Sequence, residues 1–350
     1  MFGRLLLLIF MAEPFADEEY EYYYPAFTQE ELRPTTAEWR NHNFWFLLTL
    51  FTVTIAGLLP PFGSGVDFEG IPFPETITEW LFVVPTFYGS LIITVVEQVA
   101  ADPTILIGGL SFSGSLLAIL TAHEYGHYIA CRIYGVKATL PFFIPMPFGI
   151  FPTGTLGAVI RIKSPMPSRR AVFDIGVAGP LAGFAVIIPV AIIGLLTMQF
   201  LPPEAPVEYS FSDPLLIRLL AALLGIDITF GTMNHFYFAA WVGLLVTAMN
   251  LIPASQLDGG HATYAVFGER VHYWVGRLAF ITMIALTILG WQLYNSPSGL
   301  LFTILLAVLL KIPHPQPLTD EPLDAKRKFI AVITLMVFIL SFAPFPIRVN

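Results

Sequence analysis

Two histidines and one glutamate lie within five residues, in the run His123-Glu124-Tyr125-Gly126-His127. Side chains four residues apart share one face of a helix, so both imidazoles can reach the same metal ion. Glu124 lies about 100° round the helix from His123, where it can contact a water molecule on that ion without joining the ligands. This HExxH arrangement supplies two metal ligands and a general base.

The elements that must position this motif are apolar helices. From Pro103 onward the residues before the motif are almost all apolar, and ionisable side chains inside such a segment are costly and usually functional. The alternative interpretation is that the histidines pack between helices and that Glu124 extends toward the membrane surface. We favour a metal site.

A catalytic zinc site needs a third protein ligand and one open coordination position. We expect Asp258 to be that ligand, because it lies in an LDGG run that follows another apolar segment. His261, from the same run, and Cys131, one helical turn after His127, are the alternatives. A lone thiol in a helix more often packs in a core.

The composition is that of a membrane protein. The 350 residues are 56 % hydrophobic and 12 % charged, whereas soluble domains carry about 25 % charged residues. We predict an all-α polytopic membrane protein with about seven transmembrane helices and a re-entrant loop or β-hairpin near the active site. The lipid bilayer is its expected surroundings, and no basic stripe indicates nucleic acid. The predicted spans are Phe44–Leu59, Pro103–Cys131, Val172–Leu201, Phe236–Pro253, Leu278–Tyr294, Ser298–Leu310 and Phe329–Phe342.

The positive charges predict the sidedness of these spans. Lysine and arginine are enriched in cytoplasmic loops, and here they precede the first span and follow the second, fourth and sixth. The alternation holds only if Trp80–Ala100 does not cross, so we predict that this segment is interfacial or re-entrant. The second and fourth spans then end on the same side, which brings HExxH and Asp258 together. We therefore predict a multi-pass protein whose active site lies nearer the cytosolic face.

The chain divides into two predicted parts. Residues 1–43 are expected to form an acidic, aromatic N-terminal arm, and residues 44–350 a membrane-embedded domain with its core at 103–346. The first twelve residues have the look of a weak signal peptide. Their low charge and unconvincing cleavage site favour an uncleaved start.

Three motifs in a fixed order suggest a family. HEYGH ends one span, AGPLAG (Ala178–Gly183) opens the next, and NLIP…LDGG (Asn250–Gly260) ends the one after. This order resembles the site-2 protease family of intramembrane zinc metalloproteases. The loop Leu140–Arg170 and the FDIG run after it are similar to the branch that includes the plastid EGY-type proteins and bacterial relatives. The likeness runs from about Pro103 to Pro346, and no stretch is suited to the PDZ domain of some members.

The resemblance implies a complete catalytic site. His123, His127 and Asp258 would hold one Zn²⁺ ion, and Glu124 would be the general base. Asn250 would lie near the scissile peptide as a donor to the developing oxyanion, although an interhelical hydrogen bond is the alternative role. The expected substrates are single-pass membrane proteins already cleaved by another protease.

A helical substrate must unwind before it can be cut, and exposed backbone in lipid needs partners. Thr153–Ile162 is expected to supply a strand edge that pairs with the unwound segment. The alternative is that this stretch only fills space between helices. Three other functions compete with intramembrane cleavage: a membrane protease that cuts exposed peptides at the surface, a zinc transporter, and a catalytically inactive membrane-binding protein.

Overall fold

The computed structural model describes residues 27–28, 30–62, 66, 75–148, 151–200, 209–229 and 231–349. The predicted uncleaved start and most of the predicted N-terminal arm lie outside these residues. Within them the chain is mostly helical, as predicted, with three small two-stranded sheets.

Ten helices and six strands form in the described part of the chain. The helices are α1 (Thr36–Leu58), α2 (Ile77–Ala101), α3 (Thr104–Ile133), α4 (Arg169–Leu196), α5 (Leu215–Leu224), α6 (His235–Asn250), α7 (Asp258–Phe267), α8 (Glu269–Tyr294), α9 (Ser298–Leu309) and α10 (Ala325–Ser341). The strands are β1 (Phe142–Pro145), β2 (Thr155–Val159), β3 (Gln199–Phe200), β4 (Tyr209–Phe211), β5 (Gly231–Thr232) and β6 (Ile347–Val349).

Each of the seven predicted spans falls on a helix. Three of these helices, α3, α4 and α8, are long and apolar enough to cross a bilayer. Some helix boundaries differ from the predicted ones. The third predicted span ran to Leu201, but α4 ends at Leu196 and the chain then pairs β3 with β5. The number of crossings and their sidedness stay predictions.

The segment predicted to be interfacial or re-entrant forms one continuous helix. α2 runs through Pro85 without interruption, whereas a re-entrant segment must reverse its direction. The re-entrant interpretation is therefore wrong for this segment. The 25 residues of α2 give a length of about 37 Å at 1.5 Å per residue. That length is enough to cross a bilayer, so only the charge pattern supports an interfacial placement of α2.

The N-terminal part of α1 lies inside the predicted arm. α1 begins at Thr36, eight positions before the predicted span, because Thr35 and Glu38 form a capping box. The Thr35 side chain accepts from the Glu38 N–H, and the Glu38 carboxylate accepts from the Thr35 N–H at 2.8 Å. Such a box satisfies two backbone donors that a helix start otherwise leaves free.

The centre of the fold is the packing of α3 against α4 and α6. Gly126 of α3 faces α4 so closely that a methyl group there would lie 2.5 Å from the carbonyl oxygen of Ala178. Fully buried Phe112, Leu116 and Ile187 fill the apolar cluster shared by these helices. The absence of a side chain at Gly126 therefore allows α3 to approach the backbone of α4 at Ala178 closely.

The connection between α3 and α4 contains an antiparallel hairpin of β1 and β2. Phe142 pairs with Val159, and Phe143 pairs with Ala158. The hairpin is fixed on α1, because the Thr52 hydroxyl donates to the carbonyl of Gly154 at 2.7 Å. Of the two forms predicted for an element near the active site, a re-entrant loop or a hairpin, this connection contains a hairpin.

The connection between α9 and α10 lies against the turn before α7 and the start of α4. We call its residues 311–321 the strap. At one end Gln256 donates to the carbonyl of Pro313 at 2.8 Å. At the other end the Arg169 N–H donates to the carbonyl of Thr319 at 3.0 Å. The strap therefore joins the turn before α7 to the start of α4.

Candidate active site

The HExxH motif begins about two thirds of the way along α3. His123, Glu124 and His127 are all buried, with 4 %, 6 % and 7 % of their surfaces exposed. The helix ends at Ile133, six positions after His127 and ten positions after His123. These separations correspond to about 9 Å and about 15 Å of helix. The motif is therefore set back from the end of α3.

Asp258 is the first residue of α7. The turn between α6 and α7 aims it at α3, and the two glycines that follow let α7 start against that turn. A methyl group on Gly259 would lie 2.0 Å from the carbonyl oxygen of Leu251, and one on Gly260 would lie 2.4 Å from that of Ser255. Only glycine fits such close backbone approach.

The three side chains predicted to bind metal meet at one point. The Asp258 Oδ2 atom lies 3.2 Å from Nε2 of His123 and 3.3 Å from Nε2 of His127, and the two Nε2 atoms are 3.2 Å apart. Ligand atoms at 2.0–2.1 Å from a tetrahedral zinc ion are separated by about 3.3 Å. The donor types and spacing therefore fit a tetrahedral metal ion with one position left open.

His127 is held in the tautomer that a metal ligand needs. Its Nδ1 atom lies 2.7 Å from the backbone carbonyl of Ile175 in α4. A carbonyl can only accept, so Nδ1 carries the proton and Nε2 keeps its lone pair for the metal. Gly179 leaves room for the ring, since a methyl group there would lie 2.1 Å from Nε2 of His127.

Glu124 faces the same space from the side of the ligand cluster. The backbone N–H of Ile160, just past the end of β2, faces its carboxylate and favours the charged form. A cavity of about 690 Å³ is lined by Glu124, the three candidate ligands and Asn250, together with residues of the β2 edge. The candidate base and the candidate ligands therefore share one space that can admit a peptide.

Asn250 closes α6 beside the ligands. Its Nδ2 atom lies 3.4 Å from Nε2 of His123, and its side chain lines the cavity. This position is compatible with an oxyanion donor and with the interhelical contact that was the alternative, so the catalytic role stays a prediction.

Neither of the two alternative third ligands joins this cluster, although His261 lines the same cavity. The Nδ1 atom of His261 is 2.8 Å from Nε2 of His314 in the strap, and the ring of His314 stacks on Tyr264 with centroids 4.2 Å apart. Cys131 of α3 is fully buried in an apolar cluster. The group of ligating side chains found among the described residues contains His123, His127 and Asp258, without His261 or Cys131.

Sequence reasoning missed the groups that act through the backbone. The Ile175 carbonyl contacts His127 directly and the Ile160 N–H faces Glu124, but a backbone group carries no residue-type signal. It also missed the strap, whose Pro315 and Gln316 line the cavity. A polar stretch between two predicted spans gave no indication of where it would fold.

Comparisons with known proteins find similarity to proteins named as zinc metalloproteases. The chain is 29 % identical over 315 residues to "Probable zinc metalloprotease EGY1, chloroplastic" from Oryza sativa subsp. japonica, which covers 85 % of this chain and 49 % of that protein. It is 30 % identical over 239 residues to "Probable zinc metalloprotease EGY2, chloroplastic" from Arabidopsis thaliana, which covers 65 % of this chain and 40 % of that protein. The chain thus spans at most about half the length of these curated relatives.

The family assignment rests on a match to a family model that covers just over half of the chain. Residues 111–290 match the sequence profile of peptidase family M50. This range begins before HExxH and ends after LDGG, so it contains all three motifs and the candidate ligands that they supply. The chain therefore belongs to peptidase family M50, the family of site-2 proteases.

Proposed function

We propose that this protein is an intramembrane zinc metalloprotease that hydrolyses peptide bonds in or near the transmembrane segments of other membrane proteins. The observation that carries the proposal is the triangle of ligand atoms from His123, His127 and Asp258, 3.2–3.3 Å on each side, with Glu124 buried on the same cavity. The names of the curated relatives support zinc as the metal.

The roles of the side chains follow from their chemistry. His123, His127 and Asp258 would hold one Zn²⁺ ion, which when bound polarises the substrate carbonyl and acidifies water. Glu124 accepts a proton from the attacking water and returns it to the amide nitrogen as the C–N bond breaks. Asn250 donates a hydrogen bond to the oxygen on which negative charge develops.

The substrates are proposed to be single-pass membrane proteins, already shortened by another protease. Cleavage requires an unwound substrate segment, whose backbone must find hydrogen-bond partners. β2 pairs with β1 on one side only in the described chain, and Ala158 and Val159 line the cavity. An extended substrate that adds to the free edge of β2 would satisfy this requirement.

The active site is proposed to lie nearer the cytosolic face of a multi-pass protein. The support is the distribution of lysine and arginine around the predicted spans. A single cysteine placed at Lys163 or Arg270, in a Cys131→Ala background, tests the sidedness. Labelling of either position from the outer face by an impermeant maleimide would contradict it, as would labelling that shows α2 to cross the membrane.

The central test replaces Glu124 with glutamine. Glu124→Gln keeps the shape of the side chain and an oxygen that can accept from Ile160, so fold and zinc content should be retained. Cleavage of co-expressed, tagged membrane proteins should be abolished, because an amide cannot take the proton from water. Substantial cleavage at wild-type zinc content would contradict the proteolytic mechanism, and zinc uptake that survives the change would favour a transporter.

A further inference from the structure

A charged cluster lies close to the metal site but contributes no residue to the lining of the cavity. It consists of Asp174 on α4, Arg327 on α10, Tyr134 at the end of α3 and Asp324 at the start of α10. The side chains of Asp174 and Arg327 are only 10 % and 12 % exposed. Three helices therefore meet at one buried ion pair.

The contact between Asp174 and Arg327 is a two-pronged one. Nε of Arg327 lies 3.0 Å from Oδ1 and 3.1 Å from Oδ2 of Asp174, and Nη2 lies 2.8 Å from Oδ2. Paired bonds between guanidinium and carboxylate fix orientation as well as distance. The geometry holds Asp174 in one position rather than merely attracting it.

Two further residues brace this pair. The Tyr134 hydroxyl donates to Asp174 and accepts from Nη2 of Arg327 at 3.0 Å. Asp324 caps α10 by accepting from the backbone N–H of Arg327 at 2.8 Å, and its carboxylate also contacts the guanidinium. The end of α3 and the start of α10 therefore both contact the same turn of α4.

The same turn of α4 orients a candidate metal ligand of α3, His127. The residue after Asp174 is Ile175, whose carbonyl accepts the 2.7 Å hydrogen bond from Nδ1 of His127. Groups that orient a ligating histidine affect metal affinity almost as strongly as ligands do. A buried ion pair adds little net stability compared with apolar side chains of similar volume. Its main effect here is therefore on the position of the groups that it joins.

We propose that Asp174 and Arg327 are positioning residues for the metal site, which act by fixing the Ile175 carbonyl and through it the ring of His127. The inference rests on the proposed function, since it takes His123, His127 and Asp258 as the zinc ligands. It predicts that loosening the ion pair weakens zinc binding by the folded protein, at a distance from the ligands themselves.

The experiment measures the zinc dissociation constant of the full-length protein in detergent micelles, by competition with a zinc chelator. Asp174→Asn and Arg327→Lys loosen the pair, and Tyr134→Phe removes only the bracing hydroxyl. Asp320→Asn is the matched control, because it breaks the 3.2 Å ion pair with Arg169 at the start of the same helix, where Asp320 is 75 % exposed. Circular dichroism and the unfolding temperature report the folded state.

We expect Asp174→Asn to raise the zinc dissociation constant roughly tenfold, the lower end of the effect of groups that orient a ligating histidine. Arg327→Lys should give a smaller rise, and Asp320→Asn none. If Asp174→Asn does not fold, Arg327→Lys and Tyr134→Phe decide the question. Wild-type zinc affinity in every folded variant, even with a lower unfolding temperature, would overturn the inference. The ion pair would then only stabilise the fold.

His127→Ala separates this inference from the proposed function. If the wild-type protein binds zinc and His127→Ala does not, the site is the proposed one and the ion-pair variants test positioning alone. Equal zinc binding by the wild type and His127→Ala would overturn the proposed site, and the inference with it.

Discussion

The Oδ2 atom of Asp258 lies 3.2 Å from Nε2 of His123, although one residue starts α7 and the other lies inside α3. The contact joins the two motifs that the charge pattern assigned to one membrane face. An anionic oxygen so close to an imidazole nitrogen fits either a direct hydrogen bond or two ligands of one ion. The remaining geometry, with His127 at similar distances from both, favours the ion.

Replacement of the candidate third ligand should remove most zinc binding. Asp258→Ala leaves two imidazoles, and we expect the zinc affinity to fall by more than about 100-fold, beyond the effect of losing an orienting group. The measurement is zinc content after dialysis against a chelator. His261→Ala and Cys131→Ala serve as controls and should keep their zinc. Full zinc content in Asp258→Ala, with loss in either control, would show that the third ligand is another residue.

A methyl group at Gly179 should also disrupt the site. In an ordinary helix, glycine to alanine gains about 1 kcal/mol, but here the new methyl would lie 2.1 Å from Nε2 of His127. The ring cannot move aside without losing both the metal and the Ile175 carbonyl, so the steric cost should win. We expect Gly179→Ala to lose zinc and activity.

Gly114→Ala is the matched control for that change. Gly114 is also a helical glycine, on α3, but nothing lies within 4 Å of the position where its methyl group would be. This variant should bind zinc like the wild type. If both variants behave alike, close packing of α4 on His127 is not what selects glycine at position 179.

The sequence allowed the helices and the ligand set to be predicted for two separate reasons. Apolar runs of about 20 residues identify spans without tertiary information, and α3 and α4 formed close to the predicted limits. The pairing of HExxH with Asp258 came from side-chain chemistry together with the sidedness of the loops. Neither inference required knowledge of how the helices pack.

What could not be predicted depends on packing alone. The FDIG run was noted for its likeness to a family branch, but nothing in it indicated that Asp174 would meet Arg327 about 150 positions later. Arg327 entered the sequence argument only as one positive charge among many. The exclusion of His261 from the ligands likewise depends on His314, whose 2.8 Å contact is a long-range one.

The strap should loosen in acid. Burial and the nearby imidazoles of His261 and His272 together lower the pKa of His314 to about 3. The ring of Tyr264 also stacks against it. In the unfolded chain a histidine has a pKa of about 6.5. The unfolded chain therefore binds a proton that the folded chain excludes, so the His314 contribution is complete above about pH 6.5 and is lost as the pH falls toward 3.

The measurement for the strap is limited proteolysis of residues 311–321 between pH 7 and pH 4, with an acid-tolerant protease. We expect the wild type to be cut faster as the pH falls. His314→Gln keeps an oxygen that can accept from Nδ1 of His261 but cannot titrate, so its cutting rate should depend less on pH. An identical pH dependence in both proteins would assign the effect to other groups.

The last prediction concerns the free edge of β2. Arg161 and Lys163 direct their backbone groups to the segment before β1, through the bonds from the Thr139 N–H to the Arg161 carbonyl at 3.0 Å and from the Lys163 N–H to the Lys137 carbonyl at 2.7 Å. The N–H of Ile160 points the other way, to Glu124. Because successive strand residues alternate, the N–H of Ala158 should face the cavity and that of Val159 should face β1.

Ala158→Pro should therefore lower turnover of a transmembrane substrate several-fold while zinc content stays unchanged, because proline removes the N–H that a paired substrate would use. Ala158→Ser keeps the N–H and should retain most activity. Val159→Pro instead removes a donor on the side of β1 and should weaken the hairpin itself, which protease sensitivity of residues 140–162 would report. Crosslinks from position 158 to a substrate trapped in the Glu124→Gln protein would support pairing at this edge. Full activity of Ala158→Pro, with no such crosslinks, would mean that this segment only fills the space between the helices.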